Sequence, residues 1–147
     1  MNKVKVLSVN ISEKKGTVKK PVSEVFLSKK GVLQDAHSGS WHRQISLLGS
    51  ESIQKFEHKA KRKIEFGEFA ENITTEGIEL YKTHPLDILK NDNIVLEITQ
   101  IGKECHGDSC SIFREVGNCV MPKEGIFCKI IKGGIIKKGQ SIEVIEK

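Results

Sequence analysis

A cysteine lies between two glycines, directly after the most regular strand-like run of the chain. Cys105 belongs to the segment 101–110 (IGKECHGDSC), with Lys103 and His106 beside it. The thiolate is the reactive form of cysteine, and neighbouring cationic groups lower the pKa of a thiol. The sequence therefore predicts a reactive thiol at Cys105. A buried structural cysteine is the alternative.

The other three cysteines, Cys110, Cys119 and Cys128, also lie in the last third of the chain. Cys128 alternates with apolar residues of a predicted strand, so we expect it to be buried. Cys105 and Cys110 have a loose zinc-ligand spacing, with Cys119 or His106 as further ligands, but no second close pair accompanies them. We therefore expect no structural zinc, and disulfides are equally unexpected in a cytosolic chain.

Two polar clusters precede the cysteine segment. The first, GVLQDAHSG followed by HR, contains Asp35, His37 and Arg43. These residues can bind an anion or orient a proton, or they can form a hydrogen-bonded loop. The second, GEFAENI, contains Glu71 and Asn72, which by themselves indicate a turn or a network at a strand end.

The elements that must position these residues are mostly short strands. Apolar residues repeat at helical spacing only in the segment 51–61, with Ser50 as its predicted N-cap. A turn or two of helix is also predicted over 111–116. Lys19 is expected on an exposed strand edge, and the stretch 34–43 is too polar to be expected in the core. Alternating or apolar runs predict strands over 4–9, 21–27, 45–48, 94–101, 126–131, 135–136 and 141–145.

Many short strands separated by glycine turns indicate a mainly β fold with one or two short helices. A closed or partly closed β-barrel removes the unpaired strand edges that such a chain would otherwise expose. Because helices do not alternate with the strands, a parallel sheet of βαβ units is not expected. The 147 residues are expected to form a single domain, 1–147.

Charge and hydropathy limit the kinds of partner. The formal net charge is +5, but the lysines are spread along the chain and aromatic residues make up only 5%. We therefore expect no nucleic-acid partner, although the positive field favours a small anionic ligand. The chain has no apolar run of transmembrane length and no signal-peptide pattern, so we expect no membrane partner and a cytoplasmic location.

Taken together, the clusters resemble a known family. The order GVLQDAHSG…HRQISLL, GEFAENITTEGI, QIGKECHGDSC and MPKEGIFCKIIKGGIIKKGQSI is similar to that of the MOSC domain, named for the C-terminal domain of molybdenum cofactor sulfurase. The resemblance runs from about Val6 to Ile145. It implies a barrel-like, mostly β fold of the kind also found in pyruvate kinase.

The resemblance also implies sulfur and molybdenum-cofactor chemistry. MOSC domains are thought to bind molybdopterin, or to carry sulfur as a cysteine persulfide to molybdenum and other metal–sulfur centres. Cys105 matches the family's Gly-x-x-Cys cysteine, as sulfur carrier or metal ligand. The remaining cofactor-binding residues implied by the match, or by the charge beside it, are Asp35, His37, Arg43, Glu71, Asn72, Lys103 and His106.

The chain departs from the family in three respects. Ala70 stands where many members have glycine. The resemblance covers no pyridoxal-phosphate desulfurase domain, so we expect sulfur to come from a cysteine-desulfurase-type donor and to pass to a molybdoenzyme or metal–sulfur acceptor. It also covers no additional barrel domain of the molybdenum reductases. A small molybdenum-dependent reductase and a non-catalytic module that binds an anion or a thiol metabolite remain the alternatives, and whether the domain is an enzyme is left open.

Overall fold

Strands dominate the computed structural model, which describes residues 2–12, 19–33, 35, 44–102 and 124–146. The prediction of a mainly β protein is therefore confirmed. In the described ranges, no helix is both long and apolar enough to span a membrane. The elements are β1 (Lys3–Ile11), β2 (Lys20–Val22), β3 (Glu24–Ser28), β4 (Gly31–Val32), β5 (Ile45–Gly49), α1 (Ser50–Ala60), β6 (Ile73–Glu76), a 3-10 turn (Leu80–Lys82), β7 (Ile88–Lys90), β8 (Val95–Ile101), β9 (Ile126–Lys132), β10 (Gly134–Lys137) and β11 (Ser141–Ile145).

Seven of these strands close into a barrel. Their order is β11, β7, β8, β9, β5, β6 and β1, and β1 also pairs with β11 and so completes the ring, while β2 pairs with the far end of β1. The barrel is filled by apolar side chains from every strand, with Val6, Leu47 and Leu96 fully buried. The expectation of a closed β-barrel is confirmed, and closure leaves few free edges.

β1 shows how the sequence divides polar from apolar positions. Val4 and Val6 are buried while Lys3 and Lys5 are exposed, as strict alternation predicts. A shift of register against β6 falls between Val6 and Ser8. Beyond this irregularity the buried residues of β1 include polar ones, and they belong to the network that holds the candidate site.

The α-helix α1 connects two parallel strands. β5 and β6 pair in parallel, with Leu47 opposite Ile73, and α1 provides the crossover that a parallel pair needs. One βαβ unit is therefore present in an otherwise antiparallel barrel. The predicted N-cap is wrong by one residue, because Gly49 holds the extended cap conformation and Ser50 is already helical.

The run predicted as one strand over 21–27 is two strands in different sheets. It breaks at Ser23, after which β3 pairs with β10 and β4 in a separate three-stranded sheet. Val25 and Leu27 point into the core while Phe26 between them is exposed. Proline at position 21 lies in the short strand β2, consistent with the rule that proline is tolerated in edge strands.

A second apolar cluster fixes α1 on the outside of the barrel. Ile53 and Phe56 of the helix are each 2% exposed and pack with Leu48, Phe69 and Phe127. The rings of Phe56 and Phe69 meet edge to face at 4.9 Å, a favourable aromatic geometry. This contact anchors the segment that leads to Glu71 and Asn72.

Candidate functional site

A buried ion pair joins the first two polar segments of the chain. Lys19 Nζ lies 2.9 Å from both carboxylate oxygens of Asp35, and the two side chains are 3% and 2% exposed. This corrects the expectation that Lys19 lies on an exposed edge, and the expectation that the polar stretch around Asp35 stays out of the core. Each charge is tolerated in the interior because the other neutralises it.

Ser12 and Asn72 also donate hydrogen bonds to the Asp35 carboxylate. The backbone N–H of Ser12 donates to Oδ1 at 2.8 Å, and Nδ2 of Asn72 donates to Oδ2 at 3.2 Å. Burial alone would raise the pKa of Asp35, but the Ser12 N–H, Lys19 and Asn72 stabilise the anion and hold the pKa below its usual value. Asp35 is therefore ionised at neutral pH.

Asn72 connects this carboxylate to two strands of the barrel. Its Nδ2 donates to the backbone oxygen of Asn10 at 3.2 Å, and its Oδ1 accepts from the backbone N–H of Ser46 at 3.1 Å. Its own N–H donates to Ser46 O at 3.0 Å. The predicted network at a strand end is thus confirmed for Asn72, immediately before β6.

Glu71 belongs to the same region and is completely buried. Its Oε2 accepts from the N–H of Gly67 at 3.0 Å and from Oγ1 of Thr74 at 2.8 Å. Its Oε1 is buried and has no hydrogen-bond partner among the residues that the structure describes. Burial raises the pKa of Glu71, and the bonds from Gly67 and Thr74 only partly offset this effect. The carboxyl group therefore favours its neutral form more than an exposed glutamate does.

A glycine in the turn before Glu71 allows the backbone of Lys19 to lie against this turn. Gly67 has a φ of +89°, and a Cβ there would stand 2.4 Å from the carbonyl oxygen of Lys19, a distance that only glycine avoids. The Lys19 N–H donates to Gly67 O at 2.9 Å. Ala70, where many family members have glycine, has a φ of +67°. Its position favours glycine, because Cβ is crowded in the left-handed region.

The segment that contains Cys105 begins at the end of β8. The N–H of Gly102 donates to Gly125 O at 2.6 Å, and Ile101 pairs with Ile126 of β9. The adjoining Glu124 is held by α1, through Ser52 Oγ at 2.6 Å and an ion pair with Lys55 at 2.9 Å. Both ends of the segment are therefore attached to ordered secondary structure.

The Cys105 segment and the Glu71–Asn72 pair join the barrel wall at different places. Across the strands, Ile101 pairs with Ile126, Ile126 with Leu47, and Leu47 with Ile73. Ile101 and Ile73 are thus three strand spacings apart, about 14 Å along the sheet surface. Gly102 follows Ile101 on one side of this row and Asn72 precedes Ile73 on the other. Their chain positions are not adjacent on the barrel.

The structure brings together three of the residues predicted as ligands, namely Asp35, Glu71 and Asn72. The other five lie outside the described residues: Cys105, His37, Arg43, Lys103 and His106. The predicted helical turn at 111–116 also lies outside them. Sequence reasoning missed Lys19, Asn10 and Ser46, which hold the three residues in place. No periodicity marks these three, because their partners are distant in sequence.

Cys128 is buried in β9, as its alternation with apolar residues predicted. It is fully inaccessible, and it lies opposite Ile45 of β5 and Ile98 of β8. Burial raises the pKa of its thiol far above the usual range, and the nearby Glu97 carboxylate adds to the effect. A thiol in this position is inert as a nucleophile near neutral pH. Among the described residues, no three histidine, cysteine, aspartate or glutamate side chains are grouped to hold a metal ion.

These observations define a small closed β-barrel domain with one crossover helix and a buried polar network at the start of β6. The sequence matches the family model for the MOSC domain over residues 34–143. Because the match spans well over half of the chain, the protein belongs to the MOSC domain family, which is associated with molybdenum cofactor sulfurases. No curated protein matches the sequence.

Solved structures share the whole fold. The YuaD protein of Bacillus subtilis has a TM-score of 0.83 at 17% sequence identity, over 99% of this chain and 97% of that one. YiiM of Geobacillus stearothermophilus has a TM-score of 0.76 at 20% identity, over 97% and 75% of the two chains. YiiM of Escherichia coli has a TM-score of 0.65 at 17% identity, over 100% and 71%. At such identities the likeness establishes the fold alone.

Proposed function

We propose that this MOSC domain carries sulfur as a persulfide on Cys105 and delivers it to molybdenum or other metal–sulfur centres. The observation that carries the proposal is the family match over residues 34–143. That match includes Cys105 and both of its cationic neighbours. The donor is a cysteine-desulfurase-type protein, and the acceptor is a molybdoenzyme or an enzyme with a metal–sulfur cluster.

The burial of Cys128 argues against it as the carrier, and of the other cysteines Cys105 is the one that matches the family's Gly-x-x-Cys cysteine. Cys128 is buried in the barrel wall with a raised thiol pKa, so it cannot meet a donor protein. The Gly102–Gly125 hydrogen bond joins the residues that flank the segment 103–123. The contacts of Glu124 attach its second end to α1. A reactive group attached to ordered elements is easier to present reproducibly to a partner than one on a long tether.

The chemistry requires one thiol–disulfide exchange in each direction. The Cys105 thiolate attacks the outer sulfur of the donor persulfide, a new S–S bond forms, and the donor's own S–S bond breaks to release its thiolate. No external oxidant or reductant is needed for this loading step. Lys103 favours the attacking thiolate through its positive charge, and His106 does so when it is protonated. A thiolate of the acceptor protein then takes the outer sulfur by the same exchange, which leaves Cys105 as a thiolate and the acceptor as a persulfide. Release of that sulfur as sulfide at a metal centre takes two electrons, which a thiol reductant supplies as it is oxidised to a disulfide.

The other predicted ligands have two different roles in this proposal. Asp35, Glu71 and Asn72 hold the chain that leads to His37 and Arg43. The buried contacts of Asp35 with Lys19 and Ser12 support this holding role. Arg43, with Lys103, Lys123 or Lys129, provides positive charge for an anionic substrate or ligand.

The described residues do not by themselves fit an anionic molybdopterin. Two of the three that were predicted to bind it are carboxyl groups, and the cation beside them, Lys19, is engaged with Asp35. Any phosphate of the cofactor would have to be bound by residues such as Arg43 and Lys103.

The proposal is tested by mass spectrometry of intact, non-reduced protein after incubation with a cysteine desulfurase and cysteine. We expect one additional sulfur atom on the parent and on Cys110→Ser, which changes a thiol of the same segment. We expect none on Cys105→Ser, and loss of the sulfur on treatment with a reductant. Sulfur that persists in Cys105→Ser contradicts the proposal.

Metal analysis of freshly purified protein separates the alternatives. Stoichiometric molybdenum that is lost in Cys105→Ser, without persulfide in the parent, favours a molybdenum-dependent reductase. Binding of a phosphate-bearing pterin together with an unreactive Cys105 favours a non-catalytic binding module.

A further inference from the structure

Three exposed apolar side chains form one row across the three-stranded sheet. Phe26 of β3 lies opposite Ile135 of β10. On its other side, the N–H of Leu33 donates to Phe26 O at 2.9 Å. Phe26, Leu33 and Ile135 are 49%, 47% and 40% exposed. We call this row the outer apolar row.

The opposite face of the same sheet is part of the barrel core. Val25, Leu27, Val32 and Ile136 alternate with the members of the row and are between 0% and 4% exposed. The fold is thus satisfied by the inner face alone. Folding does not account for the outer apolar row. The row is no larger than apolar patches that occur on monomers, so its charged surroundings must supply the argument for an intermolecular contact.

The two segments that carry the row, 24–33 and 132–138, are mostly positive in charge. Residues 24–33 and 132–138 carry one exposed glutamate, Glu24, which lies opposite Lys137. The exposed lysines of the same two segments are Lys29, Lys30, Lys132, Lys137 and Lys138. An apolar centre with a charged rim is the arrangement of a transient protein interface.

We propose that the outer apolar row and its lysine rim are a docking surface for an acidic partner protein, one that presents an apolar side chain surrounded by carboxylates. The inference is independent of the sulfur chemistry proposed for Cys105. The half-exposed row presents roughly 200–300 Å² of accessible apolar surface, whereas each partner contributes ~800 Å² of surface to a standard interface. Most of the contact therefore falls on the lysine rim.

Charge and shape decide between the possible occupants. A second copy would bring one lysine rim against another, and like charges in an interface oppose association. The row lies flat on a sheet with its side chains half-buried, whereas insertion into a membrane surface uses the continuous apolar face of an amphipathic helix. An acidic protein satisfies both the apolar centre and the rim.

The partner is identified by photo-crosslinking in cells of the source organism, with p-benzoylphenylalanine introduced at Phe26 or Ile135. The control carries it at Leu86, which is 47% exposed on the loop before β7. We expect a discrete adduct from the two row positions and none from Leu86, with a partner that has an acidic surface. No adduct, or an adduct of two copies of this chain, overturns the proposal.

Affinity for the purified crosslinked partner provides the quantitative test. Phe26→Ser is expected to weaken binding roughly tenfold or more, as for a central aromatic contact, while Leu86→Ser leaves it unchanged. Lys29→Glu with Lys30→Glu is expected to slow association and reduce its dependence on salt. Equal binding by all variants overturns the proposal. So does binding to phosphatidylglycerol vesicles that is lost in Phe26→Ser, since it would assign the surface to lipid.

Discussion

Replacing Asp35 by asparagine removes a negative charge from the interior and keeps the size of the side chain. The amide oxygen can still accept the Ser12 N–H, which now donates at 2.8 Å. Lys19, whose side chain is 3% exposed, loses the carboxylate that lies 2.9 Å from its Nζ. The variant therefore isolates the electrostatic part of the network.

The expected loss of stability is large for a single substitution. Removing one member of a buried ion pair typically costs about 3–5 kcal/mol, because the remaining charge stays in a medium of low dielectric. For a domain of this length, each kcal/mol lowers the unfolding midpoint by about 2–4 °C. Asp35→Asn should therefore unfold roughly 6–20 °C below the parent.

A double-mutant cycle with Lys19→Met measures the coupling free energy between Asp35 and Lys19. Lys19→Met leaves Asp35 with its bonds from Ser12 and Asn72, so we expect a smaller loss than for Asp35→Asn. The double variant removes both charges, and it should cost less than the sum of the single losses by about 1–3 kcal/mol. The measurement is chemical denaturation followed by circular dichroism at pH 7.

The pH dependence provides an independent check of the same pair. The pKa of Asp35 is held below its usual value. Its stabilising contribution is therefore complete above the unfolded value, about pH 4, and disappears as the pH falls through the lower folded value. The difference between the parent and Asp35→Asn should be constant from pH 5 to 8 and should shrink in stronger acid.

A matched control is available at the surface. Lys129→Met makes the same change at a lysine that is 49% exposed and lies 3.7 Å from the Glu97 carboxylate, and exposed pairs contribute ~0–1 kcal/mol. An Asp35→Asn variant that unfolds within about two degrees of the parent would refute the assigned structural role. Asp35 would then return to the set of ligand residues whose loss affects binding alone.

Three further predictions follow from the site. Burial raises the pKa of Glu71, so above pH 4 the native state retains a proton that the unfolded chain loses. Glu71→Gln should therefore match the parent in stability near pH 4 and exceed it at pH 8, whereas the exposed Glu76→Gln should not. A stability difference that does not depend on pH would contradict the argument. Ala70→Gly should stabilise the protein by up to ~1 kcal/mol in denaturant unfolding, because the φ of +67° suits glycine. As a control, Ala60→Gly at the end of α1 should destabilise it by a similar amount. A loss of stability in both variants would refute the assignment of strain to Ala70. Limited alkylation of native protein near neutral pH, followed by peptide mass analysis, should label Cys105 first and Cys128 last; earlier labelling of Cys128, or of Cys119, would remove the basis for the carrier role.

Local pattern predicted the strands and left their partners open. β11 (Ser141–Ile145) has the predicted bounds, and β8 and β9 differ from prediction by one residue. Each carries several alternating apolar residues, and a half-buried strand leaves that signature in any sheet. Closure of the ring depends on the pairing of β1 with β11. That contact joins the two ends of the chain, and short-range periodicity does not encode it.

The buried polar network could be predicted only in part. Asp35, Glu71 and Asn72 stand out by residue type, and their family resemblance marks them as important. Lys19 does not, because a lysine beside a second lysine and a proline has the appearance of a surface residue. Its burial depends on a carboxylate 16 positions later and on the close approach that Gly67 permits. Such long-range compensation is invisible to composition and to periodicity.

The residues that carry the resemblance to the MOSC family thus fall into two groups, a structural network and the residues proposed to react. Asp35, Glu71 and Asn72 donate and accept hydrogen bonds within the fold, and they tie the end of β1 and the starts of β5 and β6 to one another. Buried networks of this kind are costly unless they are satisfied, and when satisfied they specify one arrangement of the chain. Residues that preserve an arrangement can be as characteristic of a family as those that react. Under the proposed function, the reactive residues are Cys105 with Arg43, Lys103 and His106. Variants of the network and variants of these residues should then have different effects. Changes in the network should lower stability first, whereas changes at Cys105 should abolish sulfur loading in a protein that unfolds at the parental temperature.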